Sequence, residues 1–192
     1  VGDVRAHDIA QRDPRRSGER RLQARGELGH GGAHAHDGQT DHQRRHAQLA
    51  RNGDGAMAVG VARRAMDEAI KYAQERKQHG KLIGGHQMIA DKLATMATQI
   101  DAARLLAYRA MDMVMRGERA DKECAMAKWY GTEITVNATR QAVQIHGGNG
   151  VTREFIVERL AREAIVGPIP DGTTEIQKLL IARSLTGVAA FK

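Results

Sequence analysis

Aromatic residues are nearly missing from this chain: two phenylalanines, three tyrosines and one tryptophan in 192 residues. Ala, Met, Leu and Ile supply the apolar surface instead, which favours helices over strands. A single cysteine, Cys124, excludes an intramolecular disulfide and points to a reducing, cytoplasmic setting. No apolar run is long enough to span a bilayer, and the start lacks the uninterrupted apolar core of a secretory signal. From Met57 onward there is no Glu-x-x-His pair, which disfavours a di-iron bundle.

A second absence divides the chain. There is no lysine before Lys71 and no aromatic residue before Tyr72. From Gln11 to Asp54 the text is Arg, His, Gly, Asp, Gln and Ala, with Leu22, Leu28 and Leu49 isolated in it. No period of 2 or 3.6 runs through it, and it offers too little apolar surface to offset its ordering entropy. Residues 1–54 are therefore expected to be irregular or disordered. Arginine without lysine, with abundant His, Gly and Ala, is also what a GC-rich gene yields when read out of frame. The abrupt change near Met57 makes a frame-shifted origin for residues 11–54 a hypothesis, tested by resequencing upstream of the Met57 codon; a clean frame would make the segment a genuine tail. His42 and His46 have the i,i+4 spacing of a helical zinc pair, but with no cysteine and no HExxH glutamate beside them compositional bias explains them better, and no metal site is expected. Arg15-Arg16 and Arg20-Arg21 lack the interleaved aromatics of a nucleic-acid platform. The net charge of +7 is spread over helix-patterned segments as i,i+4 mixtures such as Lys71 with Glu75, so no nucleic-acid partner is expected.

Helical periodicity begins at Met57. Ala58, Ala62, Met66, Ile70 and Ala73 form one stripe, expected to run until Gly80 ends the helix. Ile89, Leu93, Met96, Ile100, Ala103, Ala107, Ala110, Met111 and Val114 form a second, up to Gly117. A third runs from Asp121 to Ile145 and closes at Gly147-Gly148. A short helix is expected over Arg153–Glu163, and a last one from Thr173 or Thr174 to about Leu185, where Thr174 with Gln177 fits a capping box. Amphipathic helices joined by short loops predict an all-α, up-down antiparallel bundle over residues 55–192. Two clusters stand outside this pattern: Gln144-Ile145-His146-Gly147-Gly148-Asn149-Gly150 and Pro168-Ile169-Pro170-Asp171-Gly172-Thr173-Thr174-Glu175-Ile176-Gln177. Taken singly, their residues have ordinary readings: Asp171 a turn residue, the glycines a helix C-cap, the threonines an N-cap, Arg76 a solvated helix end.

In order along the chain, however, they resemble the C-terminal domain of the acyl-CoA dehydrogenases, over roughly Ala56 to Phe191. Tyr72-Ala73-Gln74-Glu75-Arg76-Lys77-Gln78-His79-Gly80-Lys81 is similar to the family's Y-A-x-E-R-x-x-F-G-K. His86-Gln87 follows, like its F-Q, and Gln144-Ile145-His146-Gly147-Gly148 is like its Q-I-x-G-G. Asp171-Gly172-Thr173-Thr174-Glu175-Ile176-Gln177 is like its E-G-T-x-E-I-Q, followed by Ile181-Ala182-Arg183. No one motif is specific; this many in register are. The opening Gly2-Asp3-Val4-Arg5-Ala6-His7-Asp8 also looks like the family's middle-domain sheet. The resemblance implies an FAD-dependent oxidoreductase acting on an acyl-CoA, passing electrons to an electron-transfer flavoprotein and assembling as a homodimer or homotetramer with the cofactor at the interface. Arg76 would pair with the FAD pyrophosphate. Gln87 and Gln144 would hydrogen-bond the ADP half, and Gly147 and Gly148 would let backbone amides come close. Thr173, Thr174 and Glu175 open a helix whose N–H groups suit a polar cofactor. Asp171 stands where the family's catalytic glutamate removes the α-proton of the thioester while the β-hydrogen leaves as hydride to the flavin. It is one methylene shorter, more than ~1 Å of lost reach, which matters at hydrogen-bond range. The Ile169-Pro170-Asp171 form and the Ser184-Leu185-Thr186-Gly187 tail are similar to members acting on alicyclic substrates, such as cyclohexanecarboxyl-CoA dehydrogenase. In some members the base lies instead on the first helix of this domain, near Arg51 to Asp54 here, inside the anomalous text. His79 departs from the usual phenylalanine, and Asn149 and Val151 from residues that are often aromatic near the acyl pocket. The family also has an N-terminal helical and a middle β-domain, for which 192 residues have no room. The isolated chain is therefore expected to bind no flavin and to lack one wall of the thioester site. The rival reading is a non-catalytic helical bundle that associates with itself.

Overall fold

The computed structural model describes residues 38–190. The readings made on Gly2–Asp8, on the two arginine pairs and on His30, His34 and His36 lie outside them. Helix α1 covers Gly38–Glu75, and a hairpin of β1, Lys77–Gln78, and β2, Lys81–Leu82, follows. A 3-10 turn at Ile83–Gly85 leads to α2, Gln87–Met115, and then to α3, Asp121–His146. A second 3-10 turn, Gly147–Val151, precedes α4, Ile156–Ala164, and α5, Thr174–Thr186. The expected all-helical bundle is the fold.

α3 is its axis. α1, α2, α4 and α5 all pack on it. It is buried on several sides, at Cys124, Ala127, Lys128, Thr132, Thr135, Ala138 and Ala142 among others. Small residues bring α1 against it. Ala62, Ala65 and Ala69 are wholly buried, and a Cβ on Gly55 would lie 2.7 Å from the Ala127 carbonyl oxygen. Gly131 faces Gly55 in turn, with the Gly55 oxygen 3.0 Å from where its Cβ would be. The Thr135 hydroxyl is within 2.8 Å of the Ala58 carbonyl and 2.7 Å of the Gly131 carbonyl, joining the two helices at backbone level.

Three expectations need correction. The irregular structure expected through Asp54 is not found over residues 38–54, which are the first turns of α1. That stretch has no apolar stripe, but it makes polar tertiary contact: Gln48 is buried and its Nε2 donates to Asp121 Oδ1 at 2.9 Å. Tertiary contact of this kind sustains a helix that its own pattern does not announce. Second, α1 stops at Glu75 rather than Gly80, because His79 and Gly80 have φ of 51° and 78° and form the left-handed turn that a two-residue hairpin needs. Third, the capping box of α5 does not form. Thr173 is the N-cap without a side-chain cap bond, the Thr174 hydroxyl donates to Glu133, and the Gln177 amide turns back to the preceding loop. His42 and His46 do meet on α1, with their Nε2 atoms 3.2 Å apart, but no third metal-ligating group joins them among the described residues. No helix of the described residues is long and apolar enough to cross a membrane.

Candidate functional site

The residues singled out from the sequence fall at two places. Arg76, Gly147 and Gly148 line one hollow of about 340 Å³ with Tyr72, Ile83 and His146. Its floor is aromatic: the buried His146 ring stacks on Tyr72 at 4.3 Å, its Nδ1 donating to the Ala142 carbonyl at 2.8 Å. The Asn149 amide donates to the Tyr72 hydroxyl at 3.0 Å, tying the turn to α1. The glycines of this turn have different reasons. Gly150 is required internally, because a Cβ there would run into the Val143 carbonyl. Gly147 has φ of +60°, which favours glycine. Gly148 has neither reason: no left-handed φ, and nothing within 4 Å of a Cβ built on it. Its missing side chain leaves backbone open to the outside of the chain. Gln87, first residue of α2, and Gln144, in the last turn of α3, are exposed near this end without lining the hollow.

The other place is the turn between α4 and α5. Asp171 has φ of 51° and Gly172 φ of 98°, so the carboxylate sits on a tight left-handed corner. Two fully buried side chains hold that corner from beneath. The Gln177 Nε2 donates to the Asp171 carbonyl at 3.1 Å and to the Gly172 carbonyl at 2.9 Å. The Lys128 ammonium donates to the same Gly172 carbonyl at 2.9 Å. Asp171 itself is exposed.

Facing it is Asp54, the last residue of the Arg51 to Asp54 stretch where the resemblance puts the base of some family members. Asp54 of α1 has a buried Oδ2 without a hydrogen-bond donor, and it adjoins Asp171. Burial, then the charge of Asp171 and a hydrogen bond with it, push the Asp54 carboxyl above its ordinary range, while Lys128 pulls it down. Burial pushes the Lys128 ammonium down, opposed by Asp54, Asp171, Glu133 and Glu175. Beside this group lies an apolar cavity of about 300 Å³, walled by Met57, Ala58, Val61, Val166 and Pro170, with Asp54 on its rim. Glu175, in the first turn of α5, has its carboxyl held below the usual range by its own backbone N–H and the Thr173 hydroxyl. The resemblance had pointed to Arg51 to Asp54 without choosing a residue, because that stretch has no pattern of its own; the spacing of Asp54 ahead of Met57, Ala58 and Val61 on one helix is the signal that could have singled it out.

The two places do not form one crevice within this chain. Asp54 lies near the middle of α1 and Arg76 directly follows its last residue, so at 1.5 Å per residue they are ~33 Å apart along the helix. Each place is a part-site.

The sequence profile of the "Acyl-CoA dehydrogenase, C-terminal domain" family matches residues 36–186. The chain belongs to the acyl-CoA dehydrogenase family. It is 45% identical over 137 residues to the caffeyl-CoA reductase-Etf complex subunit CarC of Acetobacterium woodii, covering 71% of this chain and 36% of that one. It is 38% identical over 142 residues to cyclohexane-1-carbonyl-CoA dehydrogenase of Geobacter metallireducens, covering 74% and 37%. Among solved structures it superposes on butyryl-CoA dehydrogenase from Megasphaera elsdenii with a TM-score of 0.71 at 36% identity, covering 72% and 36%. The chain thus spans just over a third of the length of these relatives.

Proposed function

We propose that this chain forms the C-terminal helical part of an FAD-dependent acyl-CoA dehydrogenase, with Asp171 as the base that takes the α-proton of the thioester. The observation that carries the reading is the carboxylate on a left-handed corner, fixed by the buried Lys128 and Gln177 and set beside an apolar cavity. A base must be held at hydrogen-bond range of the carbon acid it deprotonates, and a corner pinned from beneath by two buried donors serves that need. The cavity would receive an apolar acyl group; a compact ring suits its volume of about 300 Å³, in keeping with the Geobacter relative.

The residues present suit a flavin dinucleotide. Arg76 offers a guanidinium fork, and Gly148 offers backbone that nothing in this chain covers. Gln87 and Gln144 flank them for the ADP half, and Thr173 and Glu175 would meet polar groups at the opening of α5, where Thr174, expected to join them, is buried and gives its hydroxyl to Glu133. FAD would supply the two-electron acceptor. With ~33 Å along α1 between the two places, we assign the two part-sites of one chain to two different cofactors. That requires a homodimer or homotetramer, each cofactor being completed by a second copy. An electron-transfer flavoprotein is the proposed redox partner, the class named with the Acetobacterium relative. That relative is named a reductase, so the chemistry is assigned as interconversion of acyl-CoA and enoyl-CoA.

The test is turnover of acyl-CoA with a dye acceptor by the full-length gene product, followed by Asp171→Asn and Asp171→Glu. Full activity in the Asn variant would place the base elsewhere. A self-associating, non-catalytic module is the second reading, favoured by the exposed Leu105, Tyr108 and Met115 of α2. It is separated from the first by an assembly that retains no flavin and turns over no thioester.

A further inference from the structure

Lys128 is wholly buried, on the central helix, with a charged end that has one hydrogen-bond partner among the described residues, the Gly172 carbonyl. Burying an ammonium costs several kcal/mol unless charge of the other sign repays it. A methionine of similar volume would fill the same space at no such cost, so packing does not explain the lysine. What surrounds it does. Through space it feels the charges of Asp54 on α1, Glu133 on α3, Asp171 in the turn and Glu175 on α5. Asp54 and Asp171 moreover face each other, two carboxylates that repel unless a proton or a cation stands between them. The Asp54 oxygen that is buried without a donor belongs to this pair.

We propose that Lys128 is a positioning residue for Asp171: its ammonium pins the corner that carries the carboxylate and supplies the positive charge that lets Asp54 and Asp171 face one another. The role of Asp171 as the base rests on the function proposed above; the pinning and the charge balance do not. Lys128 touches the Gly172 backbone and acts through it on the residue before. Gln177 shares the same carbonyl but carries no charge, so it can fix the corner without balancing the pair.

Two measurements test this. The first uses the chain alone and needs no turnover. In Lys128→Met, carbon-13 spectra of the aspartate carboxyls should show Asp54 titrating at higher pH than in the parent, and the amides of residues 172–174 should exchange faster. In the double variant Lys128→Met with Asp54→Asn, the exchange should return toward the parent. An Asp54 titration and an exchange pattern both unmoved by Lys128→Met overturn the proposal, whatever the enzyme does. A cooperative thermal melt of the variant checks that it still folds. If it does not, Asp54→Asn in the parent is read instead: slower exchange at residues 172–174 at neutral pH supports the charge balance, and unchanged exchange overturns it. The second uses the full-length gene product. Lys128→Met should lower kcat by ~10- to 100-fold, the scale of a misplaced catalytic group, with KM changed less than about threefold. Equal kcat in an active parent and in the variant overturns the proposal. An inactive parent instead overturns the function reading, and the carboxyl titration then decides the role of Lys128.

Discussion

The two part-sites along α1, one near its middle at Asp54 and one just past its last residue at Arg76, are built on opposite plans. At the Arg76 end the polar groups stand outside: an exposed guanidinium, two exposed glutamines, and a glycine whose bareness nothing in the chain requires. At Asp54 two polar side chains are turned inward, the buried Lys128 and Gln177, beneath a half-buried Asp54 and an exposed Asp171, a pair whose balance is set by its neighbours. The first plan leaves work for whatever docks there. The second finishes its geometry before anything binds. An anion needs donors that can reach it, whereas a base needs a fixed place and a fixed charge.

The comparison can be broken most sharply at Asp171. In the full-length gene product, Asp171→Asn should cost ~10²- to 10⁴-fold in acyl-CoA turnover, the usual range for a lost general base. Asp171→Glu should keep measurable activity, and steady-state rates with a dye acceptor read both.

Next in size is the crossing that spaces the two places. Gly55→Ala forces a Cβ to within 2.7 Å of the Ala127 oxygen, and backbone must part to admit it. A loss of ~1–3 kcal/mol is expected in urea unfolding. At the open end, Gly148→Val should leave that stability within about 0.5 kcal/mol, the range of an exposed substitution. Flavin retention by the full-length product should nonetheless weaken by roughly tenfold, as the cradle fills. Gly150→Ala, two residues on, should do the reverse and lower the melting temperature, because its Cβ meets the chain's own backbone.

The smallest effect concerns pH. The Asp54 carboxyl is raised in the folded state, so the native state favours its protonated form. Its contribution is full below the ordinary value of 3.8 and is lost as pH rises through the folded pKa. Asp54→Asn should therefore raise the melting temperature at pH 7 and change it little at pH 3. Equal gains at both would remove the charge argument.

Most of the bundle was legible because alanine and methionine recur with helical period, and Ala62, Met96, Ile100, Ala103, Ala138 and Ala142 are core as that period requires. The hidden part was what periodicity does not encode. Residues 38–54 fold through polar tertiary contacts such as Gln48 with Asp121, which no apolar count detects. The hairpin after Glu75 comes from two left-handed residues in a row, His79 and Gly80, of which only the glycine advertises itself. In the candidate site, Arg76, Gly147, Gly148 and Asp171 carry their motifs on the surface of the text. Lys128 does not, because a lysine in mid-helix reads as solvated until other elements close over it, and Asp54 was marked only as the end of a four-residue stretch, Arg51 to Asp54, in text without a period.

The contact of α1 with α3 at Gly55 and Gly131 also limits how this molecule can move. Where main chain rests on main chain, no rotamer change can loosen the joint, so the two long helices behave as a single stiff beam. Any adjustment to a visitor then falls to segments outside that joint, such as the His79-Gly80 turn, while the Asp171-Gly172 corner stays pinned by Lys128 and Gln177.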